Sequence, residues 1–302
     1  MGNPLGGLVR VLFIGLGHMG RPMAVNLLRA GIQVDASDLD AEQCAMAAEA
    51  GVAIVSSISE SAALADVVMT SLPGPKQVTA VSTDLLDAMR PNSIWVDLTT
   101  SDLDCAATLS SSAAGTGVHL VDATVSGGPE GAEAGTLSVF IGGEDEPVAR
   151  CMPLFEIVGH KVDHLGRHGA GYVAKIAQVT LCYTQTVCLI EALMLGVKGG
   201  VDPAKMLDLV QHSAGRSYVA DTYGPEILAG TYDPTFPLSH AAKDMLLALE
   251  MAGHVGASLP FMEAVAETYA TAEEVYGSTA PHLLAAQLTE KTNGRILHEE
   301  AP

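Results

Sequence analysis

Short apolar runs of strand length punctuate the first half of the chain. Arg10–Ile14, Gln33–Ser37, 53–55, 67–72, 93–97, 119–123 and 137–141 are rich in β-branched or apolar residues. Helix-like stretches fall between most of them. Residues 22–30 have helical spacing with Gly31 as a stop, and 40–50 are alanine-rich and closed by Gly51. Strand, helix and strand at this spacing predict an α/β unit with a mostly parallel, doubly wound sheet. After Gly169 the strand signal nearly vanishes, and 173–198, 204–213, 240–251 and 261–276 read as helices. The pattern therefore predicts two domains, 1–168 and 169–302, the second all-α, with no linker or repeat between them. The polar residues from about 290 to 302 are expected to be loosely held.

Composition narrows the setting. Thirty-five Asp and Glu against fifteen Lys and Arg give a formal charge of −20, and both halves are acidic. Such a surface repels phosphate backbones and anionic lipid, so nucleic acid and membranes are poor partners. Charged residues are only 17% of the chain, which suggests surface withdrawn from water by subunit contacts, in a homodimer or homotetramer. The five cysteines, Cys44, Cys105, Cys151, Cys182 and Cys188, are odd in number and lack zinc-ligand spacing. Reduced thiols in a cytoplasmic protein, with no metal site, are the expectation. Val9–Ile14 lacks a basic flank and reads as a first strand rather than a signal peptide. The longest uncharged stretch, 176–190, is shorter than a membrane span.

The sharpest chemical signal is Gly15-Leu16-Gly17-His18-Met19-Gly20, a GxGxxG that follows a strand and opens a helix. The first glycine permits a tight turn, the second lets a pyrophosphate approach the backbone, and the third lets the helix pack against the strand. The phosphates would then sit at a helix N-terminus. Asp38, at the end of the second strand, is placed to accept hydrogen bonds from the adenosine ribose hydroxyls. Its carboxylate would repel a 2′-phosphate, and Leu39 and Asp40 supply no cation. NAD is therefore expected over NADP, in a Rossmann domain. Asp35 points to the other side of the strand by alternation.

Four segments in order resemble the 3-hydroxyisobutyrate (β-hydroxyacid) dehydrogenases. They are Phe13 through Ala24; Asp122-Ala123-Thr124-Val125-Ser126-Gly127-Gly128, similar to a DAPVSGG loop; Gly169 through Lys175, similar to GxGxxxK; and Phe236 through Lys243-Asp244, similar to F-x6-KD. Read alone, Ser126-Gly127-Gly128 is either a cradle for a carboxylate or a plain turn before the strand at Leu137. Lys175 is either a surface lysine or a desolvated one that exchanges its proton readily. The resemblance implies a two-domain NAD-dependent dehydrogenase that interconverts a hydroxy acid and its aldehyde or ketone. By that match Lys175 is the general acid/base and Ser126, Gly127 and Gly128 hold substrate. Leu72, Pro73, Thr99, Thr100, Phe236, Lys243 and Asp244 would join the GxGxxG and Asp38 around the cofactor, and the helical domain would serve substrate binding and dimerisation.

Two positions depart from the resemblance. Asparagine usually stands four residues after the lysine; here it is Val179, so either Gln178 reaches in or that polar contact is absent. Thr124 replaces a proline, a change expected to alter the loop's rigidity more than its chemistry. Arg216 could neutralise a substrate acid or pair with Asp221. Three other readings are weighed. A phosphogluconate-type enzyme would carry His-Asn after the lysine, and an imine-reductase relative would lack Lys175. A non-catalytic dinucleotide-binding module would bind NAD without turning over any hydroxy acid.

Overall fold

The computed structural model describes residues 9–298. They form two compact units that divide between Lys175 and Ile176, inside one helix.

The first unit is an α/β sandwich. Its strands are β1 (Arg10–Ile14), β2 (Gln33–Ser37), β3 (Ala53–Ile54), β4 (Val67–Thr70), β5 (Ile94–Asp97), β6 (His119–Ser126), β7 (Leu137–Gly143) and β8 (Gly159–Gly166). They build one sheet in the order β3-β2-β1-β4-β5-β6-β7-β8. All neighbours are parallel except β6 and β7, which run antiparallel. The connecting helices are α1 (Gly20–Arg29), α2 (Ala41–Glu49), α3 (Ile58–Ala62), α4 (Pro75–Ala88), α5 (Leu103–Ala113), α6 (Gly128–Ala134) and α7 (Asp145–Val158). Alternation along β1 feeds two cores. Val11 and Phe13 enter one with Met23, Leu27 and Phe155, while Leu12 and Ile14 enter the other with Val78, Leu86 and Trp95. Burial on both faces is what makes β4 and β5 nearly continuous apolar runs.

The second unit is helical. It contains the remainder of α8 (Ala170–Lys198), then α9 (Pro203–Gln211), α10 (Tyr218–Ala229), α11 (Leu238–Val255), α12 (Pro260–Tyr276) and α13 (Ala285–Asn293), with a 3₁₀ turn at His282–Leu284. The architecture is thus a doubly wound Rossmann sheet followed by an all-α region.

Several details differ from the pattern reading. The sheet gains β8, a polar strand that lies at the edge and stays largely exposed. Helix α10 forms although Gly224 and Pro225 interrupt its pattern; the missing Cβ of Gly224 lets Leu207 of α9 pack closely. The C-terminal segment is held further than its polarity suggests. Glu290 is buried and accepts the Leu297 N–H at 2.7 Å, and Leu297 itself is 1% exposed. Residues 299–302 lie outside the described residues. Helix α8 is long and apolar enough to cross a bilayer by length and composition, but half of its most apolar window is buried in the protein, as in a core helix.

Candidate active site

Strands β1, β2, β4, β5 and β6 are parallel, so their C-terminal ends share one edge of the sheet. The order reverses at β1, with β2 on one side and β4 on the other, where doubly wound sheets open a ligand crevice. Beyond β1, Gly15 takes a left-handed φ of 97°, and a Cβ there would strike the Ser71 carbonyl. A Cβ on Gly20 would strike the Gly15 carbonyl, so α1 approaches the strand only as glycine allows. Gly17 is the opposite case: its absent Cβ would meet nothing within 4 Å. The N-terminus of α1 has neither a side-chain cap nor an acidic residue in its first turn. A bare backbone beside an uncapped helix N-terminus fits a pyrophosphate.

Asp38 holds this corner together. One carboxylate oxygen accepts the Leu16 N–H at 2.5 Å and the other the Asp40 N–H at 2.8 Å. The Leu16 side chain is wholly buried, so that residue joins the site through its backbone. His18 is exposed and Met19 half-buried. Asp35 is buried and paired with Arg10 at 2.6 Å, on a separate task.

The ends of β4 and β5 are tied by a buried polar network. Thr70 Oγ1 donates to Asp97 Oδ1 at 2.7 Å, the Thr99 N–H reaches the same oxygen, and Trp95 Nε1 donates to Thr70 at 2.9 Å. Thr99 Oγ1 in turn accepts the Leu72 N–H at 3.0 Å. Pro73 is exposed and Thr100 half-buried on the adjoining loops. The Tyr172 hydroxyl, in the first turn of α8, donates to Asp97 Oδ2 at 2.6 Å. Burial pushes the Asp97 carboxyl up, against the lowering effect of the Thr99, Tyr172 and Thr70 hydrogen bonds.

The start of α8 is fixed to β6 as well. Asp122 accepts the Gly169 N–H at 2.6 Å and the Tyr172 N–H at 2.9 Å, acting as an N-cap supplied by another element. Burial raises its carboxyl to about 6, opposed by those backbone donors. Thr124 Oγ1 donates to the Gly171 carbonyl at 2.8 Å. Lys175 follows one turn later, half-buried. At the end of β6, Ser126 is half-buried, Gly127 is exposed with a φ of 137°, and Gly128 opens α6, so a helix rather than a plain turn leads to β7.

In the helical unit, Val179 is 8% exposed and packs with Tyr183, Leu238, Ala241, Met245 and Tyr269. Gln178 is exposed. Phe236 precedes α11, joins the same cluster, and lies 5.3 Å from the His282 ring centroid. Lys243 Nζ lies 2.8 Å from Asp244 Oδ1, and Tyr183 donates to Asp244 Oδ2 at 3.0 Å. Arg216 pairs with Asp221 at 3.0 Å on the surface.

Comparison with known proteins bears on this arrangement directly. Residues 10–166 match the model of the NAD binding domain of 6-phosphogluconate dehydrogenase. Residues 169–289 match that described as NAD-binding of NADP-dependent 3-hydroxyisobutyrate dehydrogenase. The 3-hydroxyisobutyrate dehydrogenase of Pseudomonas aeruginosa is 36% identical over 83% of this chain and 87% of its own length. The chain belongs to the 3-hydroxyisobutyrate dehydrogenase family. The 2-(hydroxymethyl)glutarate dehydrogenase of Eubacterium barkeri is 35% identical over 83% of this chain and 85% of its own. The solved 3-hydroxyisobutyrate dehydrogenase of Mycobacterium tuberculosis with L-serine shares 30% identity at a TM-score of 0.87, covering 94% of this chain and 99% of that one. Membership makes the chain a hydroxyacid dehydrogenase that uses a nicotinamide dinucleotide.

Within a dehydrogenase of this family, the pattern reading passed over Asp97, Tyr172 and Asp122 as positioning groups. The signal was present in part. Asp122, Thr124 and Ser126 alternate and so share one face of β6, and all three are polar residues in a strand otherwise bound for burial.

Proposed function

We propose that the chain oxidises a small 3-hydroxy acid, or a related alcohol, to its aldehyde or ketone, preferring NAD to NADP, with Lys175 as the general acid/base. NAD when bound supplies the hydride acceptor. The α1 N-terminus and the Gly17 backbone would hold its pyrophosphate, and Asp38 its adenosine ribose. Leu72, Pro73, Thr99 and Thr100 would line it, and the family pattern adds Phe236, Lys243 and Asp244. Ser126, Gly127 and Gly128 would receive the substrate carboxylate with a hydroxyl and backbone N–H groups. Lys175 Nζ would take the hydroxyl proton as hydride leaves and return it in the reverse direction.

The observation that carries this reading is the anchoring of α8. Asp97, Asp122 and Thr124 all bond its first turn, one turn before Lys175. So many buried polar bonds spent on one helical turn suit a lysine whose position matters. The exposed apolar residues Leu181 and Leu195 of α8, 52% and 77% exposed, support packing against another subunit in a homo-oligomer. The acidic surface fits a cytoplasmic protein that avoids nucleic acid.

Val179, packed in an apolar cluster, favours one second reading: a member that binds the dinucleotide without turning over an alcohol. Absorbance at 340 nm separates the two. Purified protein with NAD is given 3-hydroxyisobutyrate, L-serine and 2-(hydroxymethyl)glutarate in turn. Cofactor reduction with any of them supports the enzyme; NAD binding with no reduction across a wide hydroxy-acid panel supports the module.

A further inference from the structure

We infer that Thr124 is a positioning residue for Lys175, acting through the backbone of the first turn of α8. The inference rests on the proposed acid/base role of Lys175 and adds to it a device that the proline of the resembling loop could not supply.

The link is short. Thr124 Oγ1 donates to the Gly171 carbonyl at 2.8 Å. In an α-helix a carbonyl accepts the N–H four residues on, so within α8 the same oxygen receives the backbone N–H of Lys175. One carbonyl therefore joins the strand hydroxyl and the lysine backbone. Proline has neither a hydroxyl nor any other donor to offer it. Thr124 is wholly buried, and its hydroxyl is directed by β6, where Asp122 on the same face caps the same helical turn. The turn has no room to drift. A Cβ on Gly171 would strike the Phe140 carbonyl and crowd the Asp122 carboxylate, and a Cβ on Gly142 would crowd Asp122 from the other strand. Phe140 and Gly142 pair with Thr124 and Asp122 across the sheet, so the ladder sets the height at which α8 begins. Strand register is thereby converted into the location of Nζ.

The substitution Thr124→Val isolates the hydroxyl. Valine keeps the branched shape, and the Gly171 carbonyl keeps its helical partner, so no buried acceptor is orphaned. Thr124→Ser restores a donor. Two readouts are taken on the full chain. One is kcat, with KM and the dissociation constant for NAD, on whichever hydroxy acid the wild type oxidises. The other is the titration of the Lys175 amine after reductive ¹³C-methylation, followed by NMR, with Lys175→Ala to assign the signal. An amine's midpoint depends on the charges and dipoles around it, so a displaced amine is expected to read as a shifted midpoint.

The expected result is a roughly tenfold fall in kcat for Thr124→Val, the scale of a small misplacement of a reacting group. NAD affinity should stay within about twofold, the Lys175 midpoint should move, and serine should recover both. Wild-type kcat and an unmoved midpoint in Thr124→Val would overturn the inference, as would serine behaving like valine, which marks a packing role only. Should valine prevent folding, Thr124→Ala carries the same comparison. Full turnover by Lys175→Ala would defeat the acid/base reading instead, and the titration would still decide whether Thr124 sets the lysine's place.

Discussion

Asp38 does two things at once, and substitutions can part them. Its carboxylate accepts the Leu16 and Asp40 N–H groups, and in the proposed cofactor site its charge would oppose a 2′-phosphate. Asp38→Ala removes both effects, so NAD affinity should fall and the preference over NADP should narrow. Asp38→Asn keeps an acceptor for Leu16, so it should narrow the preference with less loss of NAD binding. Dissociation constants for both cofactors check this; equal or better use of NADP by the wild type would contradict it. Lys175 carries a simpler expectation. Lys175→Ala should lower kcat by ~10²–10⁴, the usual share of a positioned proton-transfer group, with NAD affinity nearly unchanged. Lys175→Arg should not rescue, because a guanidinium does not release its proton near neutrality. Steady-state kinetics with a separate NAD titration reads both.

At the scale of elements, Val179 belongs to the packing of α8 against α11 and α12. It lies among Leu238, Ala241, Met245 and Tyr269, while Gln178 one position earlier is exposed. Val179→Asn would place an amide in that apolar setting and should cost ~1–3 kcal/mol unless the amide finds a partner. Denaturant unfolding reads the cost. A variant of unchanged stability that gains activity on small 3-hydroxy acids would show instead that the position opens onto substrate. The same elements show what the chain's pattern could reveal. β1 and β2 were legible to the residue because a strand covered on both faces must be apolar or paired, and the GxGxxG with Asp38 was legible because Gly15 and Gly20 answer steric demands that no other residue meets. β8 was not, since an edge strand needs no apolar run and Gly159–Gly166 has a polar, exposed surface. α10 hid behind Gly224 and Pro225, whose fit depends on Leu207 from another helix. The anchoring of α8 escaped for a related reason. Asp97, Asp122 and Tyr172 meet only after β5, β6 and α8 have been brought together, so spacing along the chain shows the polar face of β6 but not the partners it meets.

For the molecule as a whole, burial of titratable groups dictates how stability responds to acid. His168 and His282 are both held down to about 4 by burial, and for His282 the Asp233 carboxylate and Phe236 carbonyl pull weakly the other way. Their unfolded value is 6.5, so from pH 6.5 down to 4 the unfolded chain binds protons that the folded one refuses. Stability from these two groups is intact above 6.5 and is lost as pH falls through that window. Asp122 works in the opposite sense. Raised to about 6 by burial, it takes up a proton in the fold before the unfolded carboxyl does, which offsets part of the loss below pH 6. The first loss on acidification, between about 6.5 and 6, therefore belongs to the histidines. His282 offers the cleaner test. It is wholly buried among Tyr183, Tyr223 and Phe236, within reach of ring–ring contact with each. Phenylalanine suits that setting and has no proton to refuse. His282→Phe should match or exceed the wild type in melting temperature at pH 7.5, and its advantage should widen steadily as pH is lowered from 6.5 to 4. An advantage that stayed constant across that range would mean that His282 binds its proton equally well folded and unfolded, and the acid sensitivity would then have to come from His168.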